Sequence, residues 1–172
     1  MSETAQLRVM EESDLEPVLE WRNAPTTRQF MYTRHEISLD EHRQWFERMT
    51  ESASDHLLIL ELDGAPQGFL RLHIESEESG RAQWGFFRAP AAPRGTGTVL
   101  CERSLAYAFE DLELHKIYGE VLEVNVPSQR LHSKLGFTKE AHLRDHYHDG
   151  QRYWDAIGFG LLASEWDQGR GA

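Results

Sequence analysis

Residues Arg94-Gly-Thr-Gly-Thr98 make a glycine-rich loop whose chemistry would be anion binding. Glycines let backbone N–H groups approach a ligand, and the helix expected next presents its positive dipole end there. The pattern is no dinucleotide fingerprint, because Leu100 stands where a third glycine is needed, and it lacks the Gly-Lys-Ser/Thr of a P-loop. An ordinary strand-to-helix turn capped by Thr98 accounts for the same residues. A second segment, Asn125-Val-Pro-Ser-Gln-Arg-Leu-His-Ser-Lys-Leu-Gly-Phe137, follows one helix and one strand later. Histidines are the main acid–base candidates. His42 lies among Trp45, Phe46 and Met49, where core packing and function are both open, and His73 is a further candidate. His142, His146 and His148 beside Asp145 and Asp149 suggest a metal, but alternation along a hairpin should disperse them, so none is expected. Cys101, the single cysteine, sits on an apolar helix face and reads as a small buried hydrophobe rather than a nucleophile.

These groups must be positioned by short strands and helices, with no repeat or Pro/Gly/Ser linker dividing them. Gln6 to Met10 suits a first strand. Asp14 can cap a helix carrying Leu15, Val18, Leu19, Trp21 and Arg22 and ending near Asn23 and Pro25. Ser38-Leu-Asp-Glu41 is a capping box, and His42, Trp45, Phe46 and Met49 follow at i, i+3, i+4 and i+7. Leu57 to Leu62 and Gln67 to Ile74 read as a hairpin through Asp63-Gly64, and Ala82 to Arg88 as the next strand. After Gly97 a helix places Cys101, Leu105, Ala108 and Leu112 on one face and ends near Leu114-His115. Lys116 to Asn125 alternates as a strand, with Glu120 and Glu123 on opposite faces. Pro127 starts a helix with a Ser128, Leu131, His132, Leu135 stripe, and Gly136 stops it. Phe137 to Leu161 completes the chain as a hairpin turning at Asp149-Gly150. The order predicts a mixed-sheet α/β domain.

Length and composition fit that scheme. A chain of 172 residues, 40% hydrophobic and 27% charged, supports one domain and needs no disulfide or structural metal to hold its core. The lone cysteine fits a reducing compartment. With no leader-like start and no membrane-length apolar run, a soluble, cytoplasmic protein is expected. The net charge of −11 argues against nucleic acid as the main partner. Residues 1–80 carry 7 basic and 17 acidic side chains, whereas 81–139 carry 8 and 6, so a small anion meets least repulsion in the latter.

The glycine loop and the Asn125–Phe137 segment together resemble the GNAT acyltransferases over nearly the whole chain. The resemblance implies a single α/β GNAT-type domain over residues 1–166 with a flexible tail at 167–172. Its central mixed, mostly antiparallel sheet would splay between strands 4 and 5 and be flanked by about four helices. It implies acetyl-CoA as co-substrate and no metal. The loop Arg94, Gly95, Thr96, Gly97 and Thr98 would bind the pyrophosphate. Phe86, Phe87 and Arg88 would meet the pantetheine arm, with Asn125, Ser128 and Lys134 completing the cofactor set. One departure is Val99, where the family usually has Gly or Ala. Trp21-Arg-Asn23, Met31-Tyr32, Glu41-His-Arg-Gln-Trp-Phe46, Leu143-Arg-Asp-His146 and Gly158-Phe-Gly-Leu-Leu162 with Glu165-Trp166 are most similar to the amino-sugar N-acetyltransferases of pseudaminic acid biosynthesis. Those act on the 4-amine of a UDP-linked amino-dideoxy sugar, which would place Arg22, Met31, Tyr32, His42 and Trp45 around the nucleotide sugar.

The implied reaction is direct attack by a neutral amine on a thioester, with a base, an oxyanion and a departing thiolate. His132 occupies the family's frequent tyrosine position. As an imidazolium, reference pKa about 6.5, it would protonate a thiolate of reference pKa about 8.5; it is equally open to mere packing. Glu120, Glu123 and His42 are the candidate bases. A protein N-terminus, a ribosomal protein or a small amine remains open as acceptor, as does a non-catalytic acyl-CoA sensor. The expected partner is a small molecule rather than a nucleic acid or membrane, with the protein a monomer or homodimer.

Overall fold

Leu57, Leu58, Ile59 and Leu60 form an uninterrupted apolar run in strand β2 (Asp55–Leu62), and all four are buried, so both faces of this strand are covered. Burying each such side chain contributes roughly 1.5–3 kcal/mol. The computed structural model describes residues 4–170. Two compact units emerge, one running to His73 and resuming over Trp84–Ala106, the other comprising Ile74–Gln83 and the chain from Tyr107 onward.

The first unit begins with β1 (Ala5–Val9), antiparallel to β2, and a 3-10 turn at Glu12–Asp14. Helices α1 (Leu15–Asn23), α2 (Pro25–Arg28) and α3 (Leu39–Glu51) follow. Strand β3 (Ala65–Ser76) returns along β2 through Asp63 and Gly64, both at positive φ, the two-residue turn that matches strand twist. The outer part of β4 (Arg81–Arg88) and helix α4 (Thr96–Ala106) complete the unit. Leu15, Val18 and Trp21 of α1 meet Ile59 and Phe69 in its core, against which Trp45, Phe46 and Met49 of α3 pack. The α3 capping box forms as expected: Glu41 N donates to Ser38 Oγ at 3.2 Å, and Ser38 N to Glu41 Oε2 at 2.9 Å.

In the second unit, Arg81–Gln83 pairs in parallel with Lys116–Tyr118 of β5 (Lys116–Leu122). Helix α5 (Val126–Lys134), β6 (Thr138–His148), β7 (Tyr153–Leu162) and α6 (Ala163–Arg170) follow, with β7 hydrogen-bonded to both β5 and β6. The seven strands run in hydrogen-bonding order β1-β2-β3-β4-β5-β7-β6, a mixed α/β sheet as expected. No helix among the described residues is long and apolar enough to cross a membrane.

Four local expectations change. The strand predicted to reach Asn125 ends at Leu122, because Asn125 becomes the N-cap of α5, its Oδ1 accepting from Ser128 N at 3.3 Å; Glu123 therefore lies in a turn, not on a strand face. Helix α4 begins at Thr96, so Thr98 is inside its first turn rather than its cap, and beyond Ala106 it widens into a π-helical turn in which Leu112 N bonds to Tyr107 O. There are six α-helices among the described residues rather than about four, α2 and α6 being short. Helix α6 extends to Arg170, which makes helical most of the segment expected as a tail; residues 171–172 lie outside the described residues.

A buried acid ties β1 to α1. Asp14 accepts from Arg8 Nη1 and Nη2 at 2.7 and 2.9 Å and from Glu11 N, and Arg8 Nε reaches Glu61 at 2.7 Å. With the Asp14 side chain only 4% exposed, Arg8→Leu leaves its charge unpaired and should cost about 3 kcal/mol, read from urea unfolding.

Candidate active site

Arg22 and His42 reach one cavity of about 330 Å³ within the first unit from the last turn of α1 and the first turn of α3. The capping box fixes where α3 starts and so where His42 points. A clasp fixes the loop between α2 and α3: the Asn23 amide donates to Ile37 O and accepts from Ile37 N, both at 2.8 Å. That loop contributes Thr33 and His35 to the wall; Trp45, Phe69 and Phe87 supply its aromatic part. His42 stacks on Trp45 with centroids 5.1 Å apart, and Phe69 meets both Trp45 and Phe87.

Two polar atoms here are buried without a hydrogen-bond partner. Arg22 donates from Nη2 to Thr33 O at 2.8 Å, while Nη1 has no acceptor. Burial, with a smaller push from Arg28, lowers the Arg22 pKa. His42 Nε2 is likewise unpartnered. Burial holds the His42 pKa below its ordinary value, and a hydrogen bond to the Leu15 carbonyl opposes this in part. That bond consumes the proton on Nδ1, so the neutral ring offers a lone pair at Nε2. An unfilled donor on a cation and an unfilled acceptor on a base thus line one cavity. Each costs about 1–3 kcal/mol while empty.

The remaining candidates divide by location. Met31 is half-buried and Tyr32 exposed in the turns after α2, and neither is among the residues lining the cavity. Phe86 packs edge-on against Trp84, and Phe87, expected to meet pantetheine, forms cavity wall. Arg88 Nη1 donates to the Ala89 and Ala92 carbonyls. Gly95 adopts φ +92°, and a Cβ there would meet nothing within 4 Å, so glycine is demanded by backbone conformation alone. Thr96 is buried with Oγ1 donating to Pro93 O at 2.7 Å. Thr96 N donates to Pro93 O at 3.2 Å, while helical geometry leaves the N–H groups of Gly97 and Thr98 directed out of the α4 N-terminus, and Arg94 beside them is exposed. This turn fits a diphosphate.

In the second unit, Asn125 spends its side-chain oxygen on capping α5, and Lys134 is exposed in the last turn. His132 is 2% exposed, stacked on Phe159 and edge-on to Phe137, with Nδ1 2.8 Å from Ser128 O and 3.5 Å from Ser128 Oγ. Burial drives its pKa down, opposed by the Ser128 carbonyl, and so disfavours the imidazolium form. Glu120 pairs with His146 at 3.2 Å. Of His142, His146, His148, Asp145 and Asp149, expected to disperse, only His142 joins a cluster, with Glu123 and Asp155. Cys101 is fully buried, which pushes its thiol well up and fits the packing role. His73 is bound to Asp55 at 3.1 Å. Among cavity residues the sequence reading missed Thr33, His35, Glu41 and Phe69. Only Glu41 carried a local signal, its capping box.

Comparison with known proteins identifies the family. The family model described as an acetyltransferase (GNAT) domain matches residues 5–138. The SPbeta prophage-derived uncharacterized N-acetyltransferase of Bacillus subtilis (strain 168) is 30% identical over 78% of this chain and 76% of its own length. The acetyltransferase PseH of Campylobacter jejuni is 25% identical over 78% of this chain and 83% of its own. The crystal structure of spermidine N-acetyltransferase from Vibrio cholerae in complex with CoA and spermine superposes with a TM-score of 0.88 at 24% identity, covering 94% of this chain and 97% of that one. The chain belongs to the GNAT acetyltransferase family and is an acetyl-CoA-dependent N-acetyltransferase.

Proposed function

We propose that the acceptor is a primary amine that also carries an anionic group, and that a UDP-linked amino-dideoxy sugar, acetylated at its 4-amine, is the acceptor of this kind. The observation carrying the proposal is the pair of unfilled groups, Arg22 Nη1 and His42 Nε2, in one aromatic-walled cavity. Arg22 would take a phosphate oxygen, and a guanidinium held out of water binds such an oxygen more strongly than an exposed one does. The resemblance of Trp21-Arg-Asn23, Met31-Tyr32 and Glu41–Phe46 to amino-sugar N-acetyltransferases supports the sugar.

Acetyl-CoA supplies the activated acetyl group when bound. In this proposal the α4 turn at Gly95–Thr98 and Arg94 hold its diphosphate, with Phe86 and Arg88 of β4 as further contacts. The amine enters uncharged, and His42 Nε2 takes its proton as the new C–N bond forms, for which a neutral imidazole is the correct state. His132 acts as a packing group. Glu120 and Glu123, engaged with His146 and with His142 and Asp155, are the alternative bases. Met31 and Tyr32 would meet the outer part of a nucleotide.

A second reading, a small polyamine acceptor, draws on the Vibrio spermidine enzyme and on Glu41 at the cavity wall. Against it stands the Arg22 charge, which would repel a polycation. A panel of UDP-amino-sugars, spermidine and peptides, assayed by thiol release, separates the readings. Arg22→Met should raise KM for the nucleotide sugar roughly tenfold to a hundredfold, the loss of one charged hydrogen bond, and leave that for spermidine unraised. Preferential turnover of spermidine by the unaltered enzyme would overturn the anionic acceptor.

His42→Phe should lower kcat about a hundredfold with little change in KM for acetyl-CoA. Because burial holds the His42 pKa below 6.5, the base is already deprotonated at pH 7. Its limb in kcat at saturating acceptor therefore appears only as pH falls below that value, and should vanish in the variant. Gly95→Ala adds no clash but roughly 1 kcal/mol of left-handed backbone strain, and should weaken coenzyme A about fivefold by calorimetry.

A further inference from the structure

The hairpin expected to scatter its histidines gathers one of them. His142 on β6 faces Asp155 on β7, with Nε2 2.6 Å from Oδ2, and Glu123, in the turn after β5, brings its carboxylate to the same place. One ligand atom from each lies within 4.8 Å of the other two.

Position and orientation are both built in. The backbone N–H of Glu123 donates to the Asp155 carbonyl at 3.0 Å, which locks the turn to β7. Asp155 Oδ1 accepts from Asp145 N at 2.9 Å, so Oδ2 is left to face His142 and the opening. Asp145 makes that bond from a left-handed backbone, φ 49°, within the stretch of β6 where its register with β7 shifts. His142 pairs with Ile157, so Asp155, two residues along β7, shares its face as a diagonal neighbour. The three ligand atoms come from three elements, which is how a protein keeps like charges together.

We propose that Glu123, His142 and Asp155 form a surface site for a divalent transition metal, with zinc as the best-matched ion. Two carboxylates and a neutral imidazole present a net charge of −2, and the mixed nitrogen and oxygen donor set selects zinc over calcium or magnesium, which prefer oxygen alone. Water fills the remaining coordination position. Arg144, whose charge also acts on Asp155, opposes the cation from its own strand. Thioester aminolysis proceeds without the ion, so its role is to tie the turn after β5 to the last hairpin.

Titration of the tag-free full chain with zinc chloride tests this by calorimetry and by melting. One equivalent should bind, raise Tm and be removed by EDTA, with acetyl transfer unaffected by the chelator. His142→Ala and Asp155→Asn should each weaken that equivalent at least tenfold and abolish the Tm gain. Glu123→Gln, nearly the same shape, should weaken it with the circular dichroism spectrum unchanged. Absence of saturable zinc binding, or equal binding and equal Tm gain in all three variants, overturns the proposal, since the other histidines would then account for any zinc taken up.

Discussion

A guanidinium nitrogen kept from water with nothing to bond is the feature around which the first unit is arranged. Left to itself, Arg22 would swing to solvent. It stays because Thr33 O holds Nη2, the Asn23 clasp on Ile37 holds the loop that supplies Thr33, and the Ser38–Glu41 capping box fixes where that loop becomes α3. The first helical residue past the box's N-terminal turn is His42, so the device that sets the loop also sets the ring. Folding of this unit thus maintains two unfilled groups at a cost that only a ligand can offset.

Charge acts there at two ranges. The first 80 residues carry a large acidic excess, and over distances near the Debye length this favours the approach of an amine. At contact the field is local and is that of Arg22. An acceptor with an amine at one end and phosphate at the other satisfies both, whereas a polycation satisfies only the first and a simple anion only the second.

Legibility followed from how local each signal was. The capping box, the Asp63-Gly64 turn, the Gly136 stop and the Asp149-Gly150 turn are specified within four or five residues, and all were readable. The end of β5 was not, because Asn125 is compatible with both alternation and N-capping, and only the bond to Ser128 N decides. Helix α2 was hidden in four residues, PTTR, too short for periodicity. The cavity was half legible: Arg22, His42 and Trp45 stand in helices whose phase the sequence sets. Thr33, His35 and Phe69 arrive through a clasp and a strand register that join residues remote in sequence. The Glu123, His142 and Asp155 cluster was unreadable because it depends on the register of β6 against β7 and on the turn that ends β5, neither of which is specified locally.

His42 and His132 show why burial alone does not locate a site. Both are nearly inaccessible, both stack on an aromatic ring, and in both desolvation drives the pKa down against one backbone carbonyl. They differ in their surroundings. His132 has Ser128 O and Oγ at Nδ1 and phenylalanine rings on two sides, the environment of a core residue. His42 has its donor nitrogen satisfied by Leu15 and its acceptor nitrogen satisfied by nothing, with a cavity beside it. A packed histidine gains by completing its bonds internally, and a fold maintains an incomplete one only where another molecule completes it. Hence the proposed base on α3 rests on the orphaned lone pair and not on the depressed pKa.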